Sequence, residues 1–215
     1  LFRALAERPI MQLLDARYLS VYIAGSLVAF AVVFLVTRLV AGRGMADGAM
    51  AALGSSSSNS GFVGYPIAAL VVGPDALVAL SMTLVVENLV MIPLGLGLAE
   101  SEKRATEPVH RILFFVARRL TRNPMMLGIV AGGLASVFEW MPPAPIERAV
   151  DLLANASTAA ALFAIGGALA TLRATSIGLD LVGIVAGKLL LHPLAVWAAM
   201  HLLPAPATSY QKAMI

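Results

Sequence analysis

The sequence contains no cysteine and little charge. Of its 215 residues, 13% are charged and 7% are aromatic, whereas 60% are hydrophobic. Soluble domains usually carry about a quarter charged residues, so water is a poor solvent for this chain. The lack of cysteine excludes a disulfide framework, a thiolate zinc site and a cysteine nucleophile. The formal net charge of +3 gives no reason to expect a nucleic acid partner.

The hydrophobic residues are collected into runs long enough to cross a bilayer, which takes about 20 helical residues. Tyr18 and Tyr22, at the start of the first run, are expected at a membrane interface. A basic helix at residues 109–122 is expected to lie in the membrane surface. The fold class predicted is therefore an all-α membrane protein. Its expected spans are residues 18–40, 46–73, 76–99, 124–140, 150–172 and 177–203.

Basic residues lie mainly in the loops that this succession of spans places on one side of the membrane. Because Lys and Arg are enriched in cytoplasmic loops, we expect that side to be cytoplasmic. Its basic residues are Arg38, Arg43, Lys103, Arg104, Arg111, Arg118, Arg119, Arg122 and Arg173.

The second run is interrupted in its middle, where residues 54–66 read GSSSSNSGFVGYP. Gly and Ser weaken a helix, and Pro66 removes a backbone donor. Carriers commonly place their substrate at such a break, where free amides and the N-terminal end of a half-helix favour an anion. Asn59 adds a side chain that both donates and accepts. The alternative is a small-residue helix packed tightly on a neighbour, which requires neither Asn59 nor Pro66.

Glu87 lies about midway along the run at residues 76–99. An ionisable side chain at that depth is costly and usually functional. Two roles fit: a proton carrier that alternates between its charged and neutral forms, or a structural partner of a buried cation. The neighbouring Asn88 is assigned with Glu87 to a coupling or supporting role.

Lys188 lies about eleven residues into the run at residues 177–203. Three roles are open: attraction of an organic anion, a permanent ion pair with Glu87, or a side chain that snorkels to the interface. His192 follows one turn later and precedes Pro193, whose kink frees a carbonyl that the imidazole can satisfy. His192 is thus either a packing residue or a proton relay.

An enzymatic function is disfavoured. Serines 55 to 58 and Lys188 offer the atoms of a Ser–Lys nucleophile pair, but a serine run provides no unique nucleophile. The sequence has no metal-ligand spacing, no phosphate-binding loop and no pair of carboxylates at glycosidase-like spacing. We therefore predict no catalytic residue, metal or cofactor.

Several motifs resemble those of the auxin efflux carrier family, in its bacterial branch. The most specific is SNSGFVGYP at residues 58–66. The other motifs follow in the order of the family: ENLVMIP at 87–93, RNP at 122–124, LFAIGGALA at 162–170 and KLLLHP at 188–193. Together they extend over nearly the whole chain.

This resemblance implies a ten-span fold of two inverted five-span repeats, in which the proline-broken fourth and ninth spans cross at the substrate site. The chain then begins at the end of span two and stops at the start of span nine, truncated at both ends. Residues 1–99 hold the end of span two and spans three to five. Residues 100–123 form the cytoplasmic basic loop and interfacial helix, and residues 124–215 hold spans six to eight and the start of span nine.

The resemblance also implies transport of weak organic acids, from auxin-like compounds to malate- or malonate-like dicarboxylates. The predicted function is secondary active transport of a small organic anion by alternating access in the bacterial inner membrane. Protons or sodium are candidate coupling ions, the bilayer is a partner, and a homodimer is left open. The alternatives are a sodium-coupled carrier of the bile-acid symporter fold and a non-transporting membrane subunit. Predicted substrate-binding residues are Ser58, Asn59, Ser60, Gly61, Pro66 and Lys188, and predicted coupling or supporting residues are Glu87, Asn88 and His192.

Overall fold

The computed structural model describes residues 2–6, 15–58, 60, 64–73, 75–103, 110–111, 114, 117–118, 121–122, 124–171, 178–206 and 208–214. Within these ranges the chain forms α-helices and short π-helical segments and contains no strand, which confirms the all-α class. The α-helices are α1 (Phe2–Ala6), α2 (Ala16–Leu35), α3 (Met45–Ser56), α4 (Tyr65–Val72), α5 (Asp75–Val86), α6 (Ile92–Lys103), α7 (Pro124–Val137), α8 (Ala144–Thr171), α9 (Leu179–Ala186), α10 (His192–Leu202) and α11 (Thr208–Met214). The π-helical segments are π1 (Val36–Val40), π2 (Glu87–Met91) and π3 (Gly187–Leu191).

Three helical segments in the described part of the chain are long and apolar enough to cross a membrane. They are Ala16–Val40, Asp75–Glu102 and Asp180–Leu202, with lengths of 25, 28 and 23 residues. Each contains enough residues to cross a hydrocarbon core about 30 Å thick. These segments confirm the spans predicted at residues 18–40, 76–99 and 177–203.

The helices of the 124–171 region differ in length from the predicted spans. α7 has 14 residues and α8 has 28, beginning at Ala144 rather than near residue 150. The early start has a local cause: the Pro143 carbonyl accepts hydrogen bonds from the amides of Ile146 (2.8 Å) and Glu147 (3.0 Å). Pro145, the second residue of α8, suits this helix entrance because its fixed φ is helical and its missing N–H has no helical partner in the first turn.

Two of the π-helical segments end two residues before a proline. π2 is followed by Ile92 and Pro93, and π3 by His192 and Pro193. In each, the amide after the segment bonds to the carbonyl five residues earlier, from Ile92 to Glu87 and from His192 to Gly187. A proline ring clashes with the preceding turn of an α-helix, and a wider turn relieves that clash. Both long spans therefore continue past their prolines.

The helix α2 lies at the centre of the packing, against α3 on one side and α10 on another. Close approach to α10 depends on Gly25, because a Cβ atom at this position would lie 2.6 Å from the Val196 Cα. The second close contact joins π3 to α3, where a Cβ on Gly187 would lie 2.7 Å from the Ser55 hydroxyl. Without these two glycines, the α10 span would have to move away from α2 and α3.

We predict that Gly25→Ala destabilises the protein, whereas Gly97→Ala does not. The added methyl group at residue 25 meets backbone atoms of α10, and overpacking of this kind costs about 1–3 kcal/mol. Gly97 is also helical, but no atom of the described residues would lie within 4 Å of a Cβ added there, so alanine gains up to about 1 kcal/mol of helix propensity. Thermal unfolding in detergent, followed by circular dichroism, compares the two variants. Equal midpoints would contradict the close α2–α10 contact.

Candidate functional site

The predicted interruption of the second run begins later than the sequence indicates. Gly54, Ser55 and Ser56 remain helical at the end of α3, and the chain leaves the helix at Ser57 (φ −111°, ψ 126°). Their hydroxyls are satisfied without leaving the helix, since Ser55 donates to the Ala51 carbonyl (2.9 Å) and Ser56 to the Ala52 carbonyl (2.8 Å). The interruption predicted within residues 54–66 therefore begins at Ser57 rather than at Gly54.

Pro66 is the second residue of α4, which begins at Tyr65 directly after the π-helical Gly64. Residues 61–63 lie outside the described residues, so the break at Pro66 stays a prediction. Asn59 and Gly61 lie outside the described residues, and so does the side chain of Pro66.

The chain after α3 turns two serines onto the carboxylate of Glu87. The Glu87 Oε1 atom accepts from the Ser58 amide at 2.9 Å and lies 3.1 Å from the Ser58 hydroxyl. The Ser60 hydroxyl lies 3.0 Å from the same oxygen and is also within hydrogen-bonding distance of the Ser58 hydroxyl. Hydrogen bonds to a charged acceptor are stronger than neutral ones. The structure therefore brings together three of the predicted site residues.

Tyr22 brings α2 into the same cluster. Its phenolic hydroxyl donates to Glu87 Oε1 at 3.2 Å, and its side chain is buried. Glu87 itself is buried with a relative exposure of 6%. The carboxylate is therefore held by groups from α2 and from the chain after α3, at the first residue of π2.

Tyr18 and Tyr22 face the interior of the helix packing, a contact that the sequence did not predict. Both are buried, and the Tyr18 hydroxyl is 2.7 Å from the Thr83 hydroxyl on α5. Sequence reasoning missed their role because tyrosine near the start of a span is usually interfacial. The available signal was spacing: Tyr18, Tyr22 and Ser26 recur every fourth residue and so share one face of α2.

His192 is joined to the same face of α2. Its Nε2 atom lies 2.9 Å from the Ser26 hydroxyl, and both residues are buried. The His192 ring meets the Tyr22 ring edge to face, with centroids 5.6 Å apart and an interplanar angle of 84°. This hydrogen bond joins the imidazole to a serine of another span, whereas the sequence suggested a carbonyl freed by Pro193.

The other two predicted residues lie outside this cluster of hydrogen bonds. Asn88 is buried in π2, donates to the Leu84 carbonyl of its own helix at 2.8 Å, and leaves its Oδ1 atom without a hydrogen-bond partner among the described residues. Lys188 is half-buried on π3, one turn before His192. In the described part of the chain, no ion pair joins Lys188 to Glu87.

A buried carboxylate that no described cation neutralises is the chemical feature of this site. Hydrogen bonds satisfy Oε1, but a buried charge usually needs a counter-charge as well. Glu87 is therefore suited to bind a proton or a small cation. The same serine and tyrosine donors are suited to a second carboxylate, which would compete for them. Among the described residues, no group of three or more His, Cys, Asp or Glu is placed to hold a metal ion.

We predict that Ser26→Ala lowers the free energy of unfolding by about 1–2 kcal/mol, because it leaves a buried imidazole nitrogen without its partner. Ser20→Ala is the matched control on the same helix, since the Ser20 hydroxyl donates to the Arg17 carbonyl at an exposed position. Denaturant unfolding in detergent measures both. A loss no greater in Ser26→Ala than in Ser20→Ala would contradict the α2–α10 hydrogen bond.

The sequence is similar to known membrane transporters along nearly all of its length. Residues 2–215 match the family model described as "Membrane transport protein". A relative from Rhizobium meliloti (strain 1021), named "Putative malonate transporter", is 26% identical over 201 residues. The alignment covers 94% of this chain and 63% of the relative, so the chain spans less than two thirds of that protein's length. The family model extends over nearly every residue, and the chain therefore belongs to the membrane transport protein family, the auxin efflux carrier family that its motifs indicate.

Proposed function

We propose that the protein is a secondary active carrier of small organic anions in the bacterial inner membrane, working by alternating access. The observation that carries this proposal is the convergence of Ser58, Ser60 and Tyr22 on the buried Glu87 carboxylate. The convergence lies beside the middle of the Asp75–Glu102 segment, which is long and apolar enough to cross a membrane, and backbone that leaves a helix at such a position supports a solute site.

The proposed substrate site lies at residues 58–66, next to Glu87. The hydroxyls of Ser58 and Ser60 donate hydrogen bonds to a substrate carboxylate when they are released from Glu87. Asn59 supplies a further donor. Ser58 is exposed whereas Ser60 is buried, so the pair extends from an accessible position to the interior. Lys188, half-buried on another span, is a proposed source of attraction for the anion.

Glu87 is the proposed coupling residue. When it binds a proton or a sodium ion, its carboxylate no longer needs all of its hydrogen-bond donors, and these become available to the substrate. When Glu87 is ionised and holds no coupling ion, its carboxylate accepts hydrogen bonds from these donors again. Binding of the coupling ion and binding of the anion then favour each other through shared donors.

Short dicarboxylates are the proposed substrate class. The name of the rhizobial relative points to malonate, and two carboxylates suit a site that offers separate hydroxyl donors and a lysine. The test is uptake of radiolabelled malonate, malate and an auxin-like monocarboxylate into liposomes that contain the protein expressed from its complete reading frame. Saturable uptake of at least one acid supports the proposal. Absence of flux and of substrate binding for the whole panel would overturn it in favour of a non-transporting subunit.

We predict that Asn59→Ala raises the Kd for the transported acid about tenfold, as expected for the loss of one or two hydrogen bonds to a charged ligand. Asn155→Ala, at an exposed position of α8, is the matched control. Binding is measured by isothermal titration calorimetry in detergent, and circular dichroism checks the helix content of each variant. An unchanged Kd in Asn59→Ala would remove Asn59 from the site.

The variant Glu87→Gln tests whether Glu87 couples transport to an ion gradient, separately from whether the substrate can cross the membrane. The amide keeps an oxygen that accepts from the serines but carries no charge to exchange with a proton or a cation. We expect accumulation driven by a proton or sodium gradient to fall at least about tenfold, while exchange of labelled for unlabelled substrate continues. Glu147→Gln, in the first turn of α8, is the control. Gradient-driven accumulation equal to that of the unmodified protein would exclude Glu87 as the coupling residue, and separate proton and sodium gradients identify the ion.

A further inference from the structure

A groove of about 840 Å³ lies away from the Glu87 cluster, between the α2–π1 span, α3 and the α9–π3–α10 span. None of the residues predicted for substrate binding or coupling lines it. Its volume falls within the range of about 300–1,000 Å³ that small-molecule sites occupy. The groove therefore has the size of a ligand site and is separate from the proposed substrate site.

The walls of the groove are aliphatic. Val32 and Val36 face it from the α2–π1 span, and Leu190 and Leu194 from the π3–α10 span. These four side chains are between 40% and 63% exposed, although they belong to segments that are long and apolar enough to cross a membrane. A hydrocarbon chain gains favourable contact with both walls, whereas a small charged solute would lose hydration there.

One end of the groove is charged. Arg43, in the loop between π1 and α3, forms an ion pair with Asp180 at 2.5 Å, and Asp47 lies at the same end. Both members of the ion pair are about half exposed, and such pairs contribute little to stability. Arg43 and Asp180 are therefore available to a ligand. Because they lie at the ends of their spans, they are at the depth where lipid headgroups are found.

We propose that this groove binds a zwitterionic phospholipid whose headgroup carries a primary ammonium, as in phosphatidylethanolamine. The phosphate contacts the Arg43 guanidinium, and the ammonium donates to the carboxylates of Asp47 and Asp180. One acyl chain lies between Val36 and Leu190 and continues towards Leu194. The combination of one cation and two carboxylates selects this headgroup, since an anionic headgroup would meet both aspartates without an ammonium to pair with them.

The ammonium requirement distinguishes related lipids. Phosphatidylcholine has the same phosphate and net charge, but its quaternary ammonium has no N–H to donate to Asp47 or Asp180. Phosphatidylglycerol has a phosphate for Arg43 and no cation at all. We therefore expect the order ethanolamine, then choline, then glycerol, at equal acyl chain length.

The test is native mass spectrometry of the protein in detergent, titrated with dioleoyl phosphatidylethanolamine, phosphatidylcholine and phosphatidylglycerol in turn. We expect the Kd for the ethanolamine lipid to be about tenfold lower than for the other two. Arg43→Gln and Leu190→Trp, which remove the phosphate contact and fill the groove, are each expected to raise that Kd about tenfold. Arg17→Gln and Leu189→Trp, at exposed positions that do not line the groove, are the matched controls.

A second measurement locates the lipid and remains informative if Arg43→Gln fails to fold. A phosphatidylethanolamine with a diazirine in one acyl chain is photolysed with the unmodified protein, and the labelled peptides are identified. Labelling of residues 32–36 or 190–194 supports the proposal. Labelling elsewhere, equal affinity for the glycerol lipid, or a Kd that does not change in Leu190→Trp would overturn it. Absence of bound lipid together with a dimeric mass would also overturn it and assign the groove to a second copy of the chain.

Discussion

The buried carboxylate of Glu87 is the interaction on which the arrangement of the spans depends. A carboxylate inside a membrane-spanning helix is costly, and its hydrogen bonds with Ser58, Ser60 and Tyr22 reduce that cost. These donors come from two other segments of the chain, so satisfying one acid fixes the position of α2 and of the backbone beyond α3 relative to π2. A single polar atom thereby orients three apolar elements whose mutual packing in lipid has little directional preference of its own.

The glycine contacts complement this polar constraint. Gly25 and Gly187 allow α10 and π3 to approach α2 and α3 closely, which brings His192 to Ser26. The imidazole then lies edge to face with the ring of Tyr22, the residue whose hydroxyl donates to the Glu87 carboxylate. Tyr22 thus contacts both the carboxylate and the imidazole, and it connects the acid to the α10 span without a continuous chain of hydrogen bonds.

The sequence predicted which spans and which acid belong to this region better than it predicted the contacts between them. Hydrophobic run length located the three long spans, and the midspan position of Glu87 singled it out as a candidate, because both signals are local. The partners Tyr22 and Ser26 were not predicted, since their burial depends on which helix packs against α2. The break was predicted within residues 54–66, but α3 continues to Ser56, where the hydroxyls of Ser55 and Ser56 are satisfied within the helix, so composition alone placed the start of the break too early. The ten-span repeat and the roles of Asn59 and Gly61 stay predictions.

The π-helical segments have a consequence for how relatives of this chain are compared. A turn closed by a bond across five residues contains one residue more than an α-turn, and one residue rotates a helix by about 100°. The side chains before π2 and those after it therefore point in different directions around the axis of one continuous span. The same holds for the side chains on either side of π3. In a relative that lacks the extra residue of π2, the part of the span that carries Glu87 and the tyrosine-facing surface of α5 would be rotated relative to α6, compared with its orientation in this chain. An alignment with such a relative would need a single-residue gap near Pro93, and that gap would mark a change in the direction of the buried acid.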